Sequence, residues 1–249
     1  STDAPTLTAT ELIKNLLEAE PPPVHSHHDP ELPPTQPHML TTLTDLADRE
    51  LVDIIDWAKR IPGYSNLSLS DQVSLLQSCW MELLILGLAW RSMEHQGRLV
   101  FAPDMVLDRE HSKSTTGMDE ISEQMLAMAK QFKELQVQRE EFVCLKAIAL
   151  VNAGMFSSRE STTRGLENIA QVEDLQDTIH EALQDAAAKR HAETPQKSRR
   201  LAQLLMSLSH VRQVSAKGVE HLYSMKSEGA VPLYDLLLEM LDAQSTQAE

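Results

Sequence analysis

A chain of 249 residues with 42% hydrophobic and 24% charged content is long enough to bury a real core and has the composition of a globular protein. Its net charge of -15 excludes nucleic-acid binding through the bulk surface, because phosphate contacts need clustered Lys and Arg. Only 8 glycines, against abundant Leu, Met, Ala, Glu and Gln, favour helix over sheet.

The first helix starts at a capping box, Thr8 with Glu11, and a hydrophobic staple, Leu7 with Leu12. It runs to about Glu20 and stops at Pro21-Pro22-Pro23; residues 21–37, rich in Pro and His, read as an irregular surface loop. Residues 38–61 carry Leu40, Leu43, Ala47, Leu51, Ile54, Ala58 and Ile61 at helical spacing, ended by Pro62-Gly63. Ser68 or Ser70 caps the next helix, about 71–94, whose portion from Trp80 to Trp90 is apolar nearly all round and is therefore expected to be buried on every face.

Arg98 to Phe101 and Met105 to Leu107, around Ala102-Pro103-Asp104, form the one strand signal, a short hairpin. Helices resume at Met118, with Ile121, Met125, Met128, Phe132 and Leu135 in register, and continue from Glu141 to Ala153, ending at Gly154. Another follows through Leu166, Ile169, Val172, Leu175, Ile179 and Leu183; residues 187–198, charged and containing Pro195, read as a loop. A long helix spans about 197–226, and Gly229 to Pro232 separates it from a final amphipathic helix, 233–243. No internal repeat is visible, which argues against a solenoid.

Cys79 and Cys144 both lie in apolar runs, which fits buried thiols in a reducing compartment and leaves too few cysteines for a zinc module. No signal peptide is visible, and the longest apolar stretch, Cys79 to Trp90, is short for a bilayer and carries Glu82. The expectation is a soluble intracellular protein with no membrane span.

Glu50 breaks the pattern. On a helical wheel it falls inside the apolar arc defined by Leu43, Leu46, Ala47, Ile54 and Ile61, while Asp48, Arg49, Asp53, Asp56, Lys59 and Arg60 fall outside. A lone carboxylate in a core costs several kcal/mol, roughly, unless paired and hydrogen-bonded. Glu50 is therefore either half of a buried salt bridge that ties helices together or a polar anchor beside an apolar cavity. Its expected partner is Arg91, on the Trp80, Leu84, Leu88 side of the central helix, although an arginine there could also snorkel to solvent. His221, at the edge of the apolar arc with Val214, Gly218 and Met225, is a weaker third member on spacing alone.

His25, His27 and His28 are metal-ligand types, but a Pro-rich loop imposes no ligand geometry on them. The methionines between 118 and 128 are core by spacing and also suit an adaptable apolar ligand site. No phosphate-binding glycine loop, nucleophile elbow or catalytic carboxylate pair is present, so no enzyme is expected. The last helix sets Leu233, Leu236, Leu237, Met240 and Leu241 on one side, and Leu233-x-x-Leu236-Leu237 has the pattern of helices that lie in hydrophobic grooves. It is either docked permanently or, being short and hinged, displaced as a switch.

Several segments resemble the ligand-binding domain of nuclear receptors of the steroid receptor type, and in particular of the estrogen receptor family. They are Leu46-Ala-Asp-Arg-Glu-Leu51, Trp57-Ala-Lys-Arg60, Trp90-Arg-Ser-Met-Glu-His95 and Glu140-Glu-Phe-Val-Cys-Leu-Lys146. Arg200-Leu-Ala-Gln-Leu-Leu205, Glu220-His-Leu-Tyr-Ser-Met-Lys226 and Val231 to Ala243 continue the match, which covers nearly the whole chain in one order. The resemblance implies one domain over 1–249, all-α, a three-layer antiparallel helical sandwich with one short two-stranded hairpin around an apolar pocket. It implies that Glu50 and Arg91 hold the phenolic hydroxyl of a steroid such as estradiol and that His221 meets the hydroxyl at its far end. Leu43, Ala47, Met81, Leu84, Leu88, Phe101, Met118, Ile121, Gly218 and Leu222 match pocket-lining positions.

In the family the final helix shifts over the pocket and completes a groove for the LxxLL helix of a coactivator. The resemblance assigns Lys59 and Glu239 to the two charges that clamp the ends of that helix, and Gln72, Val73, Leu76 and Leu236 to the groove. It assigns the 197–214 stretch to a homodimer face, places the protein in the nucleus as well as the cytoplasm, and leaves DNA recognition to a zinc domain absent from this chain. No cofactor or metal is implied. Ser122 stands where the family has an aromatic pocket residue, and residues 157–197 and 24–38 match only loosely, the marks of a divergent or invertebrate member. Two functions follow: a steroid-regulated domain, or one whose filled pocket recruits coactivators without ligand.

Overall fold

The computed structural model describes residues 7–29, 31, 35–116, 118–152, 166–190, 195–230 and 233–246. Its helices are α1 (Ala9–Ala19), α2 (Gln36–Arg60), α3 (Leu69–Ser92), α4 (Arg109–Thr116), α5 (Asp119–Glu134), α6 (Arg139–Val151), α7 (Ile169–Arg190), α8 (Pro195–Glu228) and α9 (Asp235–Thr246). One hairpin, β1 (Arg98–Ala102) and β2 (Met105–Asp108), and a single 3-10 turn, Tyr64–Asn66, complete the all-α class expected, among the described residues. Backbone proximity divides the chain into two compact units.

The first unit comprises Ser1–Pro21, Ile55–Cys79 and Gln138–Leu208. The capping box is made in both directions: the Glu11 amide donates to Thr8 Oγ1 at 3.2 Å and the Thr8 amide to Glu11 Oε2 at 2.9 Å. α1 packs on α6 and α7. Every residue of α6 from Glu141 to Val151 is buried, so its two charges need internal partners. Glu141 receives Arg200 as a fork, Nε and Nη2 each at 2.7 Å, and Lys146 reaches Glu20 at 2.7 Å while lying 4.4 Å over the Trp57 ring. Asp71, fully buried, accepts the Glu167 and Asn168 amides just ahead of α7, and Asn168 caps that helix, its Oδ1 accepting the Gln171 amide at 3.1 Å. Gly63 turns the chain at φ +90°, where a side chain would be strained and a Cβ would stand 3.0 Å from Leu175.

The second unit comprises Pro22–Ile54, Trp80–Val137 and Ser209–Glu249. Arg98 pairs with Asp108, Leu99 with Leu107 and Val100 with Val106, and the register shifts before Ala102–Met105. The hairpin turn is held from the N-terminal loop: Asp104 accepts the amides of Ser26 at 2.8 Å and His27 at 2.9 Å, and His27 takes φ +55°. Burial on its own would raise the Asp104 carboxyl, but these amide bonds outweigh it and hold it below the ordinary range. The second half of α3 is buried through Leu83, Ile85, Leu86 and Ala89, and its Glu82 pairs with Arg212 of α8 at 3.2 Å. α3 is long and apolar enough to cross a membrane by length and composition, a test that a buried core helix also passes, and most of it is buried.

Four expectations need correction. α4, in a stretch with no expected helix, carries no apolar stripe; it forms because Asp108 accepts the His111 amide at 2.8 Å and Ser112 buries its hydroxyl against Ser122 at 3.0 Å. The loop expected at 187–198 is shorter, since α7 runs to Arg190 through the buried Ala186 and Ala187 and α8 begins at Pro195. Proline lacks an N–H that the first turn does not use, so Pro195 starts a helix. The same reason lets α2 begin at Gln36, inside the loop expected over 21–37. The final helix begins at Asp235 and continues to Thr246. Ala153, Gly154, residues 191–194 and the Val231-Pro232 part of the expected hinge lie outside the described residues.

Candidate functional site

In the second unit, helical spacing brings one face of each of three helices together. Leu43, Ala47 and Glu50 of α2, Met81, Leu84, Leu88 and Arg91 of α3, and Gly218, Leu222 and Met225 of α8 recur at three- and four-residue steps and line one cavity of about 130 Å³. Phe101 of β1, Met118, Met125 of α5 and Leu237 of α9 complete its wall with Leu40, Thr44, Leu46 and Ile85. Gly218 lets α8 approach α3 closely, and a Cβ there would stand 3.3 Å from Met81 Sδ.

The structure joins Glu50 and Arg91, with Arg91 Nη2 at 3.3 Å from Glu50 Oε1 and both side chains mostly shielded. Arg91 is also anchored to β1, donating from Nε to the Val100 carbonyl at 3.0 Å and from Nη2 to the Phe101 carbonyl at 3.4 Å. Its planar fork is thus fixed by three separate acceptors, which makes the pair a rigid polar corner in an apolar cavity rather than a snorkelling side chain.

His221 and Ile121 do not line this cavity. They line an adjoining recess of about 360 Å³ with Asp119, Glu120, Lys217, Glu220 and Ser224, and Met118 borders both spaces. The buried Nε2 of His221 has no hydrogen-bond partner. Ser122 is buried against Ser112 and is not among the residues that line the cavity.

α9 is tied to this site. Leu237, Met240 and Leu241 are buried, and Leu237 itself lines the cavity. The Leu237 amide, in the first turn of α9, donates to Asp48 Oδ1 at 2.9 Å, and Lys226 at the end of α8 pairs with Asp242. Asp48 therefore serves as a cap supplied by another helix, and its charge complements the positive end of the α9 dipole. Nothing in the sequence marked Asp48, because on the wheel it is one more outward carboxylate. Leu236 is partly buried and Glu239 is exposed on the same helix.

The other residues assigned to coactivator binding belong to the first unit. Lys59 is exposed in the last turn of α2, Val73 is 42% exposed and Leu76 is buried on α3. Gln72 is spent on the preceding turn, its Nε2 donating to the Leu67 carbonyl at 2.9 Å. Cys79 and Cys144 are both buried; burial, then Glu141, Asp185 and Glu140, push the Cys144 thiol up to about 12, so it stays a thiol at neutral pH. Among the described residues no group of three or more His, Cys, Asp or Glu side chains is placed to hold a metal.

Residues 28–228 match the family described as the ligand-binding domain of nuclear hormone receptor. The chain is 51% identical over 242 residues to the estrogen receptor of Taeniopygia guttata, covering 97% of this chain and 41% of that protein. It is 50% identical over 242 residues to the estrogen receptor of Anolis carolinensis, covering 97% of this chain and 69% of that protein. It is 49% identical over 240 residues to the estrogen receptor beta of Rattus norvegicus, covering 96% of this chain and 45% of that protein. The chain thus spans less than half the length of two of these three relatives.

Proposed function

Because the chain belongs to the ligand-binding domain family of nuclear hormone receptors, and within it to the estrogen receptors, we propose that residues 1–249 act as one regulatory domain that recruits LxxLL coactivator helices without needing a steroid to seat its final helix. The size of the cavity carries this reading. At about 130 Å³ it is well below the ~300 Å³ at which drug-sized ligand sites begin. Four methionines, Met81, Met118, Met125 and Met225, contribute to the wall, and α9 is held by Asp48 and Lys226, groups of the chain itself. In this reading Lys59 and Glu239 hold the two ends of the coactivator helix and Gln72, Val73, Leu76 and Leu236 meet its apolar face. The 197–214 stretch, where Met206 is 69% exposed, serves a homodimer face. Nuclear action and DNA binding through a separate zinc domain belong to the longer protein.

A second reading, binding of an estrogen-like steroid, is favoured by the fixed Glu50–Arg91 corner and the unpartnered Nε2 of His221. Those groups suit two hydroxyls at opposite ends of a rigid apolar body, and methionine side chains yield at low cost. The deciding experiment measures the affinity of a fluorescent LxxLL peptide with and without estradiol, and the Kd for estradiol itself, with Glu50→Ala as control. Full peptide binding by the protein alone and no measurable estradiol binding support the first reading. Peptide binding that appears only with estradiol, and is lost in Glu50→Ala, supports the second.

A further inference from the structure

We propose that His28 and His38 form a binding site for one transition-metal ion of the Zn²⁺, Ni²⁺ or Cu²⁺ type, which fastens the loop before α2 to the first turn of that helix. The two imidazole rings are neighbours, with centres 5.6 Å apart and planes inclined by 39°. His28 Nδ1 and His38 Nε2 are both buried without a hydrogen-bond partner. Buried polar nitrogens are nearly always satisfied, so two orphans on neighbouring rings ask for a shared partner. Two imidazoles bound to one tetrahedral ion at Zn–N distances of about 2.1 Å bring their ring centres to about 5 Å, close to the separation found here.

The backbone on both sides of the site is already fixed. The His28 amide donates to Ser26 Oγ at 3.1 Å, the Ser26 and His27 amides are held by Asp104, and Arg49 Nη1 donates to the His25 carbonyl at 2.6 Å. His38 sits in the first turn of α2, where its carbonyl accepts Thr42 Oγ1 at 3.0 Å. Ordering the two rings about an ion therefore costs little further backbone entropy. Two imidazoles select late first-row ions over Mg²⁺ or Ca²⁺, and with no third protein ligand among the described residues, water occupies the remaining positions.

The site also touches the cavity wall indirectly. Val24 of the same loop packs with Leu43 and Phe101 on the cluster of Met39, Leu46, Ala102 and Met105, and Leu43, Leu46 and Phe101 line the cavity. A bound ion stiffens that wall. This inference is independent of whether a steroid binds.

Calorimetric titration of the whole chain with ZnCl₂ tests it, together with thermal melting, which also reports whether each variant folds. The expected result is one Zn²⁺ per chain and a raised Tm on binding. Both effects weaken at least about tenfold in affinity in His28→Ala and in His38→Ala, since removing a ligand costs no less than removing an outer-shell partner. They are unchanged in His111→Ala, whose ring is exposed beside Asp108. With Cu²⁺, electron paramagnetic resonance should show coupling to two imidazole nitrogens. If His38→Ala does not fold, His28→Ala decides, because His28 lies outside the helices. Zinc binding that survives His28→Ala at full affinity, no binding at micromolar zinc, or a copper spectrum without two nitrogens would each overturn the proposal.

Discussion

Asp48 and Leu237 are joined by a 2.9 Å hydrogen bond from the Leu237 amide to the Asp48 carboxylate, so a side chain of α2 caps α9. Leu237 is fully buried in the cavity wall, which makes this one bond a mechanical link between the lining of the cavity and the seat of the final helix. Replacing Asp48 by Ala removes a cap worth about 1 kcal/mol. The expected outcome is about fivefold weaker LxxLL peptide binding and faster hydrogen exchange in α9, with the rest of the protein unchanged. Unaltered exchange in α9 would show that the cap does not hold the helix.

Gly218→Ala separates the two readings of the cavity. The new Cβ meets Met81 Sδ at 3.3 Å and drives that flexible side chain into the cavity. Overpacking costs roughly 1–3 kcal/mol, while Ala in place of Gly in a helix returns about 1 kcal/mol, so the melting temperature should fall only modestly. Peptide recruitment by the protein alone is expected to be unchanged, and any estradiol binding to weaken. A parallel loss of peptide binding would count against steroid-independent recruitment.

The clamp between Asp104 and the N-terminal loop is expected to depend on acid. The folded carboxyl titrates below the ordinary aspartate value of about 3.9, so its contribution is present above that value and is lost as pH falls through the lower folded pKa. The Ser26 and His27 amide resonances should therefore hold steady from neutral pH to about pH 4 and move only below it. Asp104→Asn should remove that acid step; its persistence in the variant would assign it to another group.

Glu141 and Arg200 are an almost fully buried fork in the first unit. Arg200→Leu strands a buried carboxylate and is expected to cost about 3–5 kcal/mol by denaturant unfolding. Replacing both, Glu141→Met with Arg200→Leu, should recover most of that loss. If the double variant is as unstable as the single one, the pair contributes through packing instead.

The helices and their order were determined locally. Capping residues, apolar spacing and proline or glycine stops are short-range signals, and α1, α3, α5 and α6 lie close to where those signals put them. Glu50 and Arg91 were also legible, because a charge inside an apolar stripe must have a partner and few were available. What the sequence could not carry is which polar side chains meet once the chain has packed. α4 depends on a hydroxyl pair, Ser112 with Ser122, and on the Asp108 cap; the seat of α9 depends on Asp48, 189 residues before Leu237. The separation of His221 from the main cavity and the apposition of His28 with His38 belong to the same class. Tertiary structure alone decided the cavity's size, about 130 Å³, because volume is what remains after side chains from α2, α3, α5, α8, α9 and β1 have packed.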